Sequence, residues 1–531
     1  MSDTTPVLDR VNTRPITDDV LNVQDFNDRI IGAYNDGSAE MGLEADHGTA
    51  RSLIPAGTGL LRDFSYIAPE IPLLNSENCV ACMDCVTECP DTAILGKVVP
   101  KSQLEAELAA IEDPIERDHY AKQFAKTTKF WSVYEKKGQE PGYFGIFIDP
   151  TKCKGCAECV DACGNHAALS MLQKDDPSLK RSQRTWKFYS KLPETPKQYI
   201  NEKLLSDIML QERSLLYVGG AGSCMGCGEG TAIRMMLAAT GFVYGKERIG
   251  ILNSTGCSTV YASTYPYNPY LVPWSNSLFE NGPTYAMGVR SRWDQMGWKD
   301  KQLWVIGGDG AMLDIGFQAL SRMLASGMNI KVLVLDTQVY SNTGGQSSTA
   351  SYMSQNTKFS VHGTAVHGKI ERRKELAQIC MMHPNTFVAQ TSCALSNHFY
   401  KSILAANEFD GPAVVSVYTT CQPEHGVGDN MAMTQSKLAV DTRTFPVLIY
   451  DPRKGSKISE RLSLQGNPAP KEDWYKDPKT GELFDFTMFA RSEGRFSKQF
   501  DAEGKASETV LAANQDRLEN WHTLQELAGI I

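Results

Sequence analysis

Long apolar runs and an export signal are both missing from this sequence of 531 residues. No segment approaches the roughly 18 consecutive apolar residues that form a membrane-spanning helix. The opening stretch, MSDTTPVLDRVNTRPITDD, has neither the basic n-region nor the apolar h-region of a signal peptide. We therefore expect a protein that has no transmembrane helix and stays in the cytoplasm.

The chain also lacks a basic run of the kind that follows a nucleic-acid backbone, and its formal net charge is -9. Such a mildly acidic chain is a poor match for nucleic acid. What it does contain is 14 cysteines. Without an export signal, so many cysteines argue against a disulfide framework and for metal ligation or redox chemistry.

The chain is long enough for two to four domains, because single hydrophobic cores rarely exceed about 250 to 300 residues. Changes in composition predict five segments. They are an N-terminal arm (1–70), a cysteine-rich segment with a helical insert near 101–140 (71–175), a connector of mixed strand and helix (176–215), an α/β domain (216–425) and a C-terminal arm ending in a helix at 509–528 (426–531).

The arms and the insert carry further expectations. An N-terminal arm of this length usually packs against a partner or another domain, and a partly disordered terminus is the alternative. The C-terminal arm is irregular and is expected to wrap a neighbour. In the insert, Leu104, Leu108 and Ile111 recur at helical spacing, and Pro114 marks a break.

Five short runs in the α/β domain predict strands. They are IGILNS, QLWVIGGDG, IKVLVLDT, TFVAQTS and PAVVSVY, and helical stretches such as 314–326 alternate with them. Alternating strands and helices predict a largely parallel sheet with its ligands at the carboxyl ends of the strands.

Two cysteine runs repeat one spacing, C-x2-C-x2-C-x3-C. The run CVACMDCVTECP is followed by CKGCAECVDACG, which ends in Gly164 where proline is usual. In two-cluster ferredoxins with this spacing, the fourth cysteine of each run ligates the other [4Fe-4S] cluster. Zinc knuckles are the alternative, although this spacing differs from that of zinc ribbons. The expected ligand sets are Cys79, Cys82, Cys85 and Cys163, and Cys153, Cys156, Cys159 and Cys89.

A second motif begins at the predicted strand VIGGDGAMLDIGFQAL. Asp309 lies between two glycines at the strand end, where a carboxylate can bind Mg²⁺ and helix amides can meet a phosphate. Thr337 follows 28 residues later, in DTQVYSNTGGQSS, and Asn342 five residues after that. A lone GDG could be a tight turn. With this interval it resembles the thiamine-diphosphate motif, which implies that Asp309, the Thr337 hydroxyl and the Val339 carbonyl hold Mg²⁺.

Taken in order, several segments resemble the pyruvate:ferredoxin oxidoreductases and related 2-oxoacid:acceptor oxidoreductases. The segments are SCMGCGE, NSTGCSTVYAS, WSNSLFENG, GDGAMLDIG, DTQVYSNTGGQSS and VYTTC, within residues 71 to 422. The resemblance implies an α/β thiamine-diphosphate-binding fold with a mostly parallel sheet, and an α+β ferredoxin-like domain with two [4Fe-4S] clusters. The cofactor contacts it implies are Glu229, Cys257, Gly308, Asp309, Gly310, Ala311, Thr337, Val339, Tyr340, Ser341 and Asn342, with Asn342 catalytic.

The resemblance also assigns a third, proximal [4Fe-4S] cluster to Cys224, Cys227, Cys257 and Cys421. We expect all four to lie on loops that follow strands. Cys380 and Cys393 then remain, and we interpret both as buried apolar thiols.

Other residues allow two interpretations. Glu229 is either a solvated turn residue or a thiamine contact, and the resemblance favours the contact. Asn276 and Glu280 could each cap a helix. His362 and His367 are five residues apart, a spacing that shares a face in neither a helix nor a strand, so we predict a mobile loop near the active site rather than a metal site.

The function implied by the resemblance is oxidative decarboxylation of pyruvate with coenzyme A, with electrons passing through three clusters to ferredoxin or flavodoxin. The long single-chain members of the family carry further domains ahead of this region, including the glutamate that faces the aminopyrimidine, the oxoacid-binding residues and a coenzyme A domain. We therefore expect a subunit of a hetero-oligomer. The alternatives are 2-oxoglutarate or another 2-oxoacid as substrate, a non-catalytic polyferredoxin-type carrier, and a thiamine-dependent decarboxylase or acyl transferase with structural clusters.

Overall fold

The computed structural model describes residues 23–43 and 54–531. Residues 1–22 and 44–53 of the predicted N-terminal arm lie outside the described residues. In the described part of that arm, Phe26, Ile30 and Ile31 are buried and pack against Tyr265 and Tyr267. This part of the arm therefore packs on another segment of the chain, as predicted.

The described residues form the following elements. The strands are β1 (Glu70–Leu74), β2 (Ile94–Pro100), β3 (Phe124–Ala125), β4 (Gly142–Ile148), β5 (Leu169–Gln173), β6 (Ile249–Ser254), β7 (Trp274–Ser277), β8 (Gln302–Gly308), β9 (Lys331–Asp336), β10 (Val361–His362), β11 (His367–Gly368), β12 (Phe387–Ser392), β13 (Ala413–Tyr418), β14 (Leu448–Tyr450), β15 (Leu462–Ser463), β16 (Tyr475–Lys476) and β17 (Leu483–Phe484). The α-helices are α1 (Val23–Phe26), α2 (Gly32–Asp36), α3 (Asp84–Glu88), α4 (Lys101–Ala109), α5 (Pro114–Ala121), α6 (Val133–Lys136), α7 (Glu158–Cys163), α8 (Asp176–Tyr189), α9 (Leu205–Ile208), α10 (Gly228–Tyr244), α11 (Cys257–Ala262), α12 (Gly282–Gln295), α13 (Phe317–Ala325), α14 (Leu376–Met381), α15 (Ser396–Glu408), α16 (Gln422–His425), α17 (Ala432–Asp441), α18 (Ile458–Arg461), α19 (Phe486–Arg491) and α20 (Glu508–Leu527).

An eight-stranded sheet dominates the molecule, with strand order β15-β14-β12-β13-β9-β8-β6-β7. The six strands from β12 to β7 are parallel, and β14 and β15 add antiparallel pairs at one edge. The central strands β8, β9 and β13 are buried along almost their whole length, because helices cover both faces of the sheet. The α/β fold with a mostly parallel sheet is thereby confirmed.

All five strands predicted in the α/β domain are present as β6, β8, β9, β12 and β13. The sheet also contains β7, β14 and β15, which the sequence pattern did not indicate. β7 is a half-buried edge strand of sequence WSNS, so it lacks a β-branched run. β14 and β15 lie beyond residue 425, and the sheet therefore extends past the predicted end of the α/β domain.

Two hydrophobic cores lie on opposite faces of the sheet. One contains residues of α10 and α15 and continues without interruption into the cysteine-rich segment, including Val98 and Phe144. The other contains residues of α13, α14 and α20, with Trp521 fully buried. The cysteine-rich segment and the α/β domain thus share one core.

In the cysteine-rich segment, β1 pairs with β5, and β4 pairs with β2 and β3, all antiparallel. The short helices α3 and α7 each follow the first two cysteines of one run. α3 contains the third cysteine of its run, and α7 contains the third and the fourth. The insert forms α4 as expected, whereas Pro114 begins a second helix, α5, whose N-cap is Asp113. Proline is compatible with the first turn of a helix because the amide hydrogen it lacks has no partner there.

The connector differs from its prediction, because residues 176–215 contain helix but no strand among the described residues. Pro193 and Pro196 cannot donate to a strand ladder, and the segment around them forms coil and a single 3₁₀ turn.

The C-terminal segment was expected to wrap an unspecified neighbour, and it packs on the α/β domain of the same chain. The predicted final helix is present as α20, and Arg517 of that helix forms an ion pair with Glu375 at 2.7 Å. Over the residues that the structure describes, no helix combines the length and apolar character needed to cross a membrane.

Candidate functional site

The ends of two neighbouring parallel strands bring Asp309 and Thr337 together. Asp309 follows β8 and stands before the π-helical turn Gly310–Ile315, and Thr337 follows β9. The Thr337 hydroxyl donates to Asp309 Oδ1 at 3.1 Å and lies 3.0 Å from the carbonyl oxygen of Val339. A carboxylate, a hydroxyl and a carbonyl oxygen at these distances form an all-oxygen donor set that fits Mg²⁺.

The surroundings of Asp309 are polar but buried. Ser348 Oγ donates to Asp309 Oδ2 at 2.5 Å, and Ser341 Oγ donates to Thr337 Oγ1 at 2.8 Å. Burial and the nearby Asp336 carboxylate raise the pKa of Asp309 to about 8. A buried carboxylate without a full counter-charge is costly, and a bound cation would offset that cost.

A cavity of about 300 Å³ opens beside these oxygen atoms. Its lining includes every residue for which the family resemblance implies a cofactor contact. These are Glu229, Cys257, Gly308, Asp309, Gly310, Ala311, Thr337, Val339, Tyr340, Ser341 and Asn342. Asn342 is exposed, so the residue expected to be catalytic stands at the mouth of the cavity rather than at its base. A side-chain carbon on Gly310 would come within 2.5 Å of the Tyr340 ring, so that ring packs directly on the glycine backbone.

Six further lining residues were not singled out from the sequence. They are Thr255, Gly256, Ser258, Phe279, Ile315 and Thr343. All six lie within the motif segments, and Ile315 ends the π-helical turn after Asp309. The motifs therefore indicated which segments line the cavity. Which side chains of those segments face it could be seen only from the backbone geometry.

Glu229 lies in the first turn of α10 and is only 6% exposed, so it is not a solvated turn residue. Its Oε2 accepts a hydrogen bond from the Tyr261 hydroxyl at 3.1 Å. Burial raises the pKa of Glu229 to about 7, which places a carboxyl group that can be either neutral or charged on the cavity wall.

All 14 cysteines are free thiols, and twelve of them lie in three groups. In the first group, the Cys85 thiol interacts electrostatically with those of Cys79, Cys82 and Cys163. In the second, the Cys159 thiol does so with those of Cys153, Cys156 and Cys89. The structure therefore brings together the two crossed sets expected from the spacing. Four free thiols per group form a donor set that fits a [4Fe-4S] cluster.

The third group combines Cys224, Cys227, Cys257 and Cys421, since the Cys257 thiol interacts with the other three. Cys257 begins α11 after β6, and Cys421 follows β13. Cys224 and Cys227 follow no strand of the sheet, so the expectation that all four do is wrong. Instead they lie in a glycine-rich segment directly before α10. Among the described residues, no three His, Cys, Asp or Glu side chains converge as ligands of one isolated metal ion would.

The two remaining cysteines are buried, as predicted. Cys380 is 0% exposed and Cys393 is 4% exposed, and each belongs to a hydrophobic core. Burial raises the pKa of both thiols, so they are protonated and unreactive at neutral pH.

Asn276 does not cap a helix, because it lies on β7. Its Oδ1 accepts from Thr259 Oγ1 at 2.8 Å and its Nδ2 donates to Thr255 Oγ1 at 3.1 Å, so it holds the loop that carries Cys257. Glu280 lies in the turn before α12, whose N-cap is Asn281.

The predicted loop around His362 and His367 contains a short hairpin. β10 and β11 pair antiparallel with His362 directly opposite His367, so the two side chains share a face across the strands. A spacing of five residues separates two side chains in a single helix or strand, but in this hairpin it brings them opposite each other.

Comparisons with known proteins agree with this geometry. Residues 254–417 match the family described as thiamine pyrophosphate enzyme, C-terminal TPP binding domain. The pyruvate-flavodoxin oxidoreductase of Rhodospirillum rubrum is 26% identical over 544 residues, which cover 87% of this chain and 42% of that protein. The pyruvate:ferredoxin oxidoreductase of Moorella thermoacetica is 28% identical over 543 residues, again covering 87% and 42%.

A more distant likeness is found among solved structures. A 2-oxoglutarate:ferredoxin oxidoreductase from Magnetococcus marinus is 21% identical, with a TM-score of 0.32 over 38% of this chain and 65% of that chain, which is too low to support an argument. The chain spans about two fifths of the length of the two curated relatives. Residues 254–417 are thus similar to a thiamine pyrophosphate-binding domain, and most of the chain is similar in sequence to pyruvate:ferredoxin and pyruvate-flavodoxin oxidoreductases.

Proposed function

We propose that this chain carries thiamine diphosphate, Mg²⁺ and three [4Fe-4S] clusters in a coenzyme A-acylating 2-oxoacid oxidoreductase, with pyruvate as substrate. The observation that carries the proposal is the position of Cys257. Its thiol belongs to the third cysteine group and its residue also lines the thiamine pyrophosphate cavity. A cluster held by this group would lie against the cofactor, as one-electron transfer between them requires.

Different residues of the cavity would bind the metal ion and the diphosphate. Asp309, Thr337 and the Val339 carbonyl would hold Mg²⁺ and through it the diphosphate, while Gly308, Gly310 and Ala311 let the backbone approach the phosphates. When bound, thiamine diphosphate supplies the carbanion that attacks the 2-oxoacid carbonyl and releases carbon dioxide, and the clusters accept electrons singly.

Other residues would orient the reacting groups. Asn342, at the mouth of the cavity, would donate to a substrate oxygen, and the Glu229 carboxyl on the cavity wall would contact the cofactor. Phe279 and Ile315 would exclude water from this part of the cavity.

The exposure of the thiol groups supports an order of electron transfer. In the second group three cysteines are buried, whereas Cys82 of the first group is exposed. The Cys159 thiol interacts with that of Cys85, which joins these two groups. Lys154 donates to the Ser223 carbonyl at 2.9 Å and so joins the second group to the loop of Cys224. We place the third group beside the cofactor, the second between, and the first at the exit toward a ferredoxin or flavodoxin.

A second subunit is the remaining part of the proposal. Leu278 and Ile315 are 59% and 61% exposed, and Phe279 beside them lines the cavity, so the mouth has an apolar rim. Large apolar side chains in one patch are typical of an interface. We propose that a partner covers this rim and supplies the pyrimidine-side domain, the oxoacid-binding residues and the coenzyme A domain.

The experiment is anaerobic purification of the chain with its co-purifying partner, followed by viologen reduction with pyruvate, 2-oxoglutarate and other 2-oxoacids in the presence of coenzyme A. Iron and thiamine content are measured on the same sample. We expect viologen reduction with pyruvate that is abolished by Asp309→Ala, with iron retained. A sample that holds iron and thiamine but reduces viologen with none of the 2-oxoacids would contradict the proposal.

A further inference from the structure

Arg234 is a buried cation for which the proposed chemistry has no assigned role. It lies on α10 and is 3% exposed. Its Nε donates to Thr92 Oγ1 at 3.1 Å, and its Nη1 donates to the carbonyl oxygens of Val86, Thr87 and Cys89. The side chain therefore binds the backbone between the last two cysteines of the first run.

The guanidinium charge has no carboxylate partner. Within the described residues, Arg234 forms no ion pair within 4.0 Å, and its Nη2 is buried without a hydrogen-bond acceptor. The nearest carboxylate in electrostatic terms is Asp91, and this group is already paired with Lys154 at 2.7 Å. A buried cation with neutral acceptors alone is costly, so an anion is expected beside it.

The groups of opposite sign around Arg234 are cysteines. The guanidinium interacts electrostatically with the thiols of Cys89 and Cys85, in addition to Asp91. Cys89 belongs to the second thiol group and Cys85 to the first. A cluster with four thiolate ligands carries a net negative charge, so the clusters are the missing counter-ion.

Helix α10 fixes the position of this charge. Cys227 stands at its N-terminus, Thr231 one turn later donates to the Glu88 carbonyl at 3.1 Å, and Arg234 follows on the same side. One face of the helix thus runs from the third thiol group along the backbone of residues 86 to 92. Because this contact lies in the shared core, the charge cannot move away when the clusters change oxidation state.

We propose that Arg234 raises the reduction potential of the cluster held by Cys153, Cys156, Cys159 and Cys89, and to a smaller extent that of the cluster held by Cys79, Cys82, Cys85 and Cys163. Each reduction adds one electron and hence one negative charge to a cluster. A fixed positive charge in a medium of low dielectric constant stabilises the reduced form. This inference rests on the proposed presence of the clusters.

The test is a dithionite titration of the anaerobic complex followed by electron paramagnetic resonance, with iron measured on every sample. Arg234→Gln removes the charge and Arg234→Lys keeps it. We expect Arg234→Gln to lower the midpoint potential of the cluster that includes Cys89 clearly, and that of the cluster that includes Cys85 weakly. The midpoint potentials of Arg234→Lys should stay close to those of the wild type. Asp91→Asn removes a negative charge and leaves Lys154 without its carboxylate partner. We expect this variant to raise the midpoint potential of the cluster held by Cys153, Cys156, Cys159 and Cys89.

Arg443 offers a matched control, because it is also buried and donates to the carbonyl oxygens of Pro468 and Ala469. Arg443→Gln should leave all midpoints unchanged. Unchanged midpoints in Arg234→Gln at full iron content would overturn the inference, and so would loss of iron in both the Gln and Lys variants, which indicates a structural role. If Arg234→Gln loses iron and Arg234→Lys does not, the Asp91→Asn variant decides. An unchanged midpoint potential of the cluster held by Cys153, Cys156, Cys159 and Cys89 in that variant would overturn the inference. Absence of iron from the wild type would instead refute the proposed function.

Discussion

Asp309 has a carboxyl group that is 1% exposed and surrounded by hydroxyl and carbonyl oxygens. Loss of its negative charge should weaken cofactor binding more than it disturbs the fold, because Asn can accept a hydrogen bond from one of the hydroxyls of Thr337 and Ser348 and donate one to the other. We expect Asp309→Asn to reduce the affinity for thiamine diphosphate with Mg²⁺ at least about tenfold, since a charged ligand contributes about 1.4 kcal/mol or more. Isothermal titration calorimetry on the full complex measures this affinity.

Asp451 provides the control for this substitution, because it is also buried but pairs with Arg453 at 2.7 Å and does not line the cavity. Asp451→Asn should bind the cofactor as the wild type does. An Asp309→Asn protein of undiminished affinity would show that Asp309 is not a ligand of the cation.

Lys331 predicts a pH dependence of stability. It is fully buried on β9, its ammonium donates to the carbonyl oxygens of Phe409 and Gly411, and burial lowers its pKa to about 7. Between about pH 7 and the pKa of an unfolded lysine near 10.4, the unfolded chain binds more protons, so the free energy of unfolding rises with pH. As the pH falls toward 7, the free energy of unfolding decreases by on the order of a few kcal/mol because of Lys331.

Urea denaturation of the wild type and of Lys331→Met at pH 7, 8 and 9 measures this contribution. The difference in stability between the two proteins should change in favour of the wild type as pH rises. Lys437→Met, which changes a half-exposed lysine paired with Asp441, should follow the wild type at every pH. A constant difference for Lys331→Met would contradict the assigned pKa.

Some contacts of individual residues could be predicted from sequence patterns alone, and others could not. The cysteine spacing predicted both crossed thiol groups, because the fourth cysteine of each run ligates the other cluster in two-cluster ferredoxins of this spacing. The cavity positions of Phe279 and Ile315 depend on strand ends that are distant in sequence, and the acceptors of Arg234 lie more than 140 residues away. Local patterns carry no information on such contacts.

Among the elements, the one-turn helix α16 joins the third thiol group to the loop of Thr337. It follows Cys421 directly, and Gln422 Nε2 donates to the Gly226 carbonyl between Cys224 and Cys227. At its other end His425 Nε2 donates to the Thr337 carbonyl at 2.8 Å. Burial lowers the pKa of His425 well below its usual value, so the imidazole stays neutral and keeps this hydrogen bond at neutral pH.

His425→Leu should therefore displace the Thr337 loop without removing a cluster ligand. Loss of one buried hydrogen bond costs about 1 to 2 kcal/mol, so we expect affinity for thiamine diphosphate to fall by about 5- to 30-fold at unchanged iron content. His425→Gln keeps a donor and should recover part of the affinity. His383→Leu, which removes a half-buried imidazole bonded to Ser321, is the control. Equal affinities in all three variants would refute the link through α16.

Elements with long apolar runs were predictable, and those without them were not. β6, β8, β9, β12 and β13 are each buried along nearly their whole length, and all except β12 are rich in Val, Ile and Leu. β7 and the β10–β11 hairpin have polar or exposed residues, so their strand conformation depends on pairing with a neighbour. In the connector, Pro193 and Pro196 cannot take part in a strand ladder, and the strand expected there is absent from this described part of the chain.

For the whole molecule, three clusters predict a stoichiometry of about twelve irons per chain. Cys257→Ala should lower this to about eight, because it removes a ligand of the third group alone. Cys380→Ala changes a buried thiol outside the three groups and should leave the count unchanged. Iron and acid-labile sulfide assays on anaerobic samples check both values. About eight irons per wild-type chain would show that the third cluster is absent.

The third thiol group also sets an order of maturation during synthesis. The first two groups are complete in sequence at Cys163, whereas the third needs Cys421, which lies 194 residues after Cys227. Domains generally fold from the N-terminus as the chain emerges from the ribosome. Two of the proposed clusters would therefore be inserted while the sheet is still incomplete, and the proposed cluster beside the cavity would be the last. A chain whose synthesis stops before β13 would carry the ligands of two proposed clusters and an incomplete third thiol group.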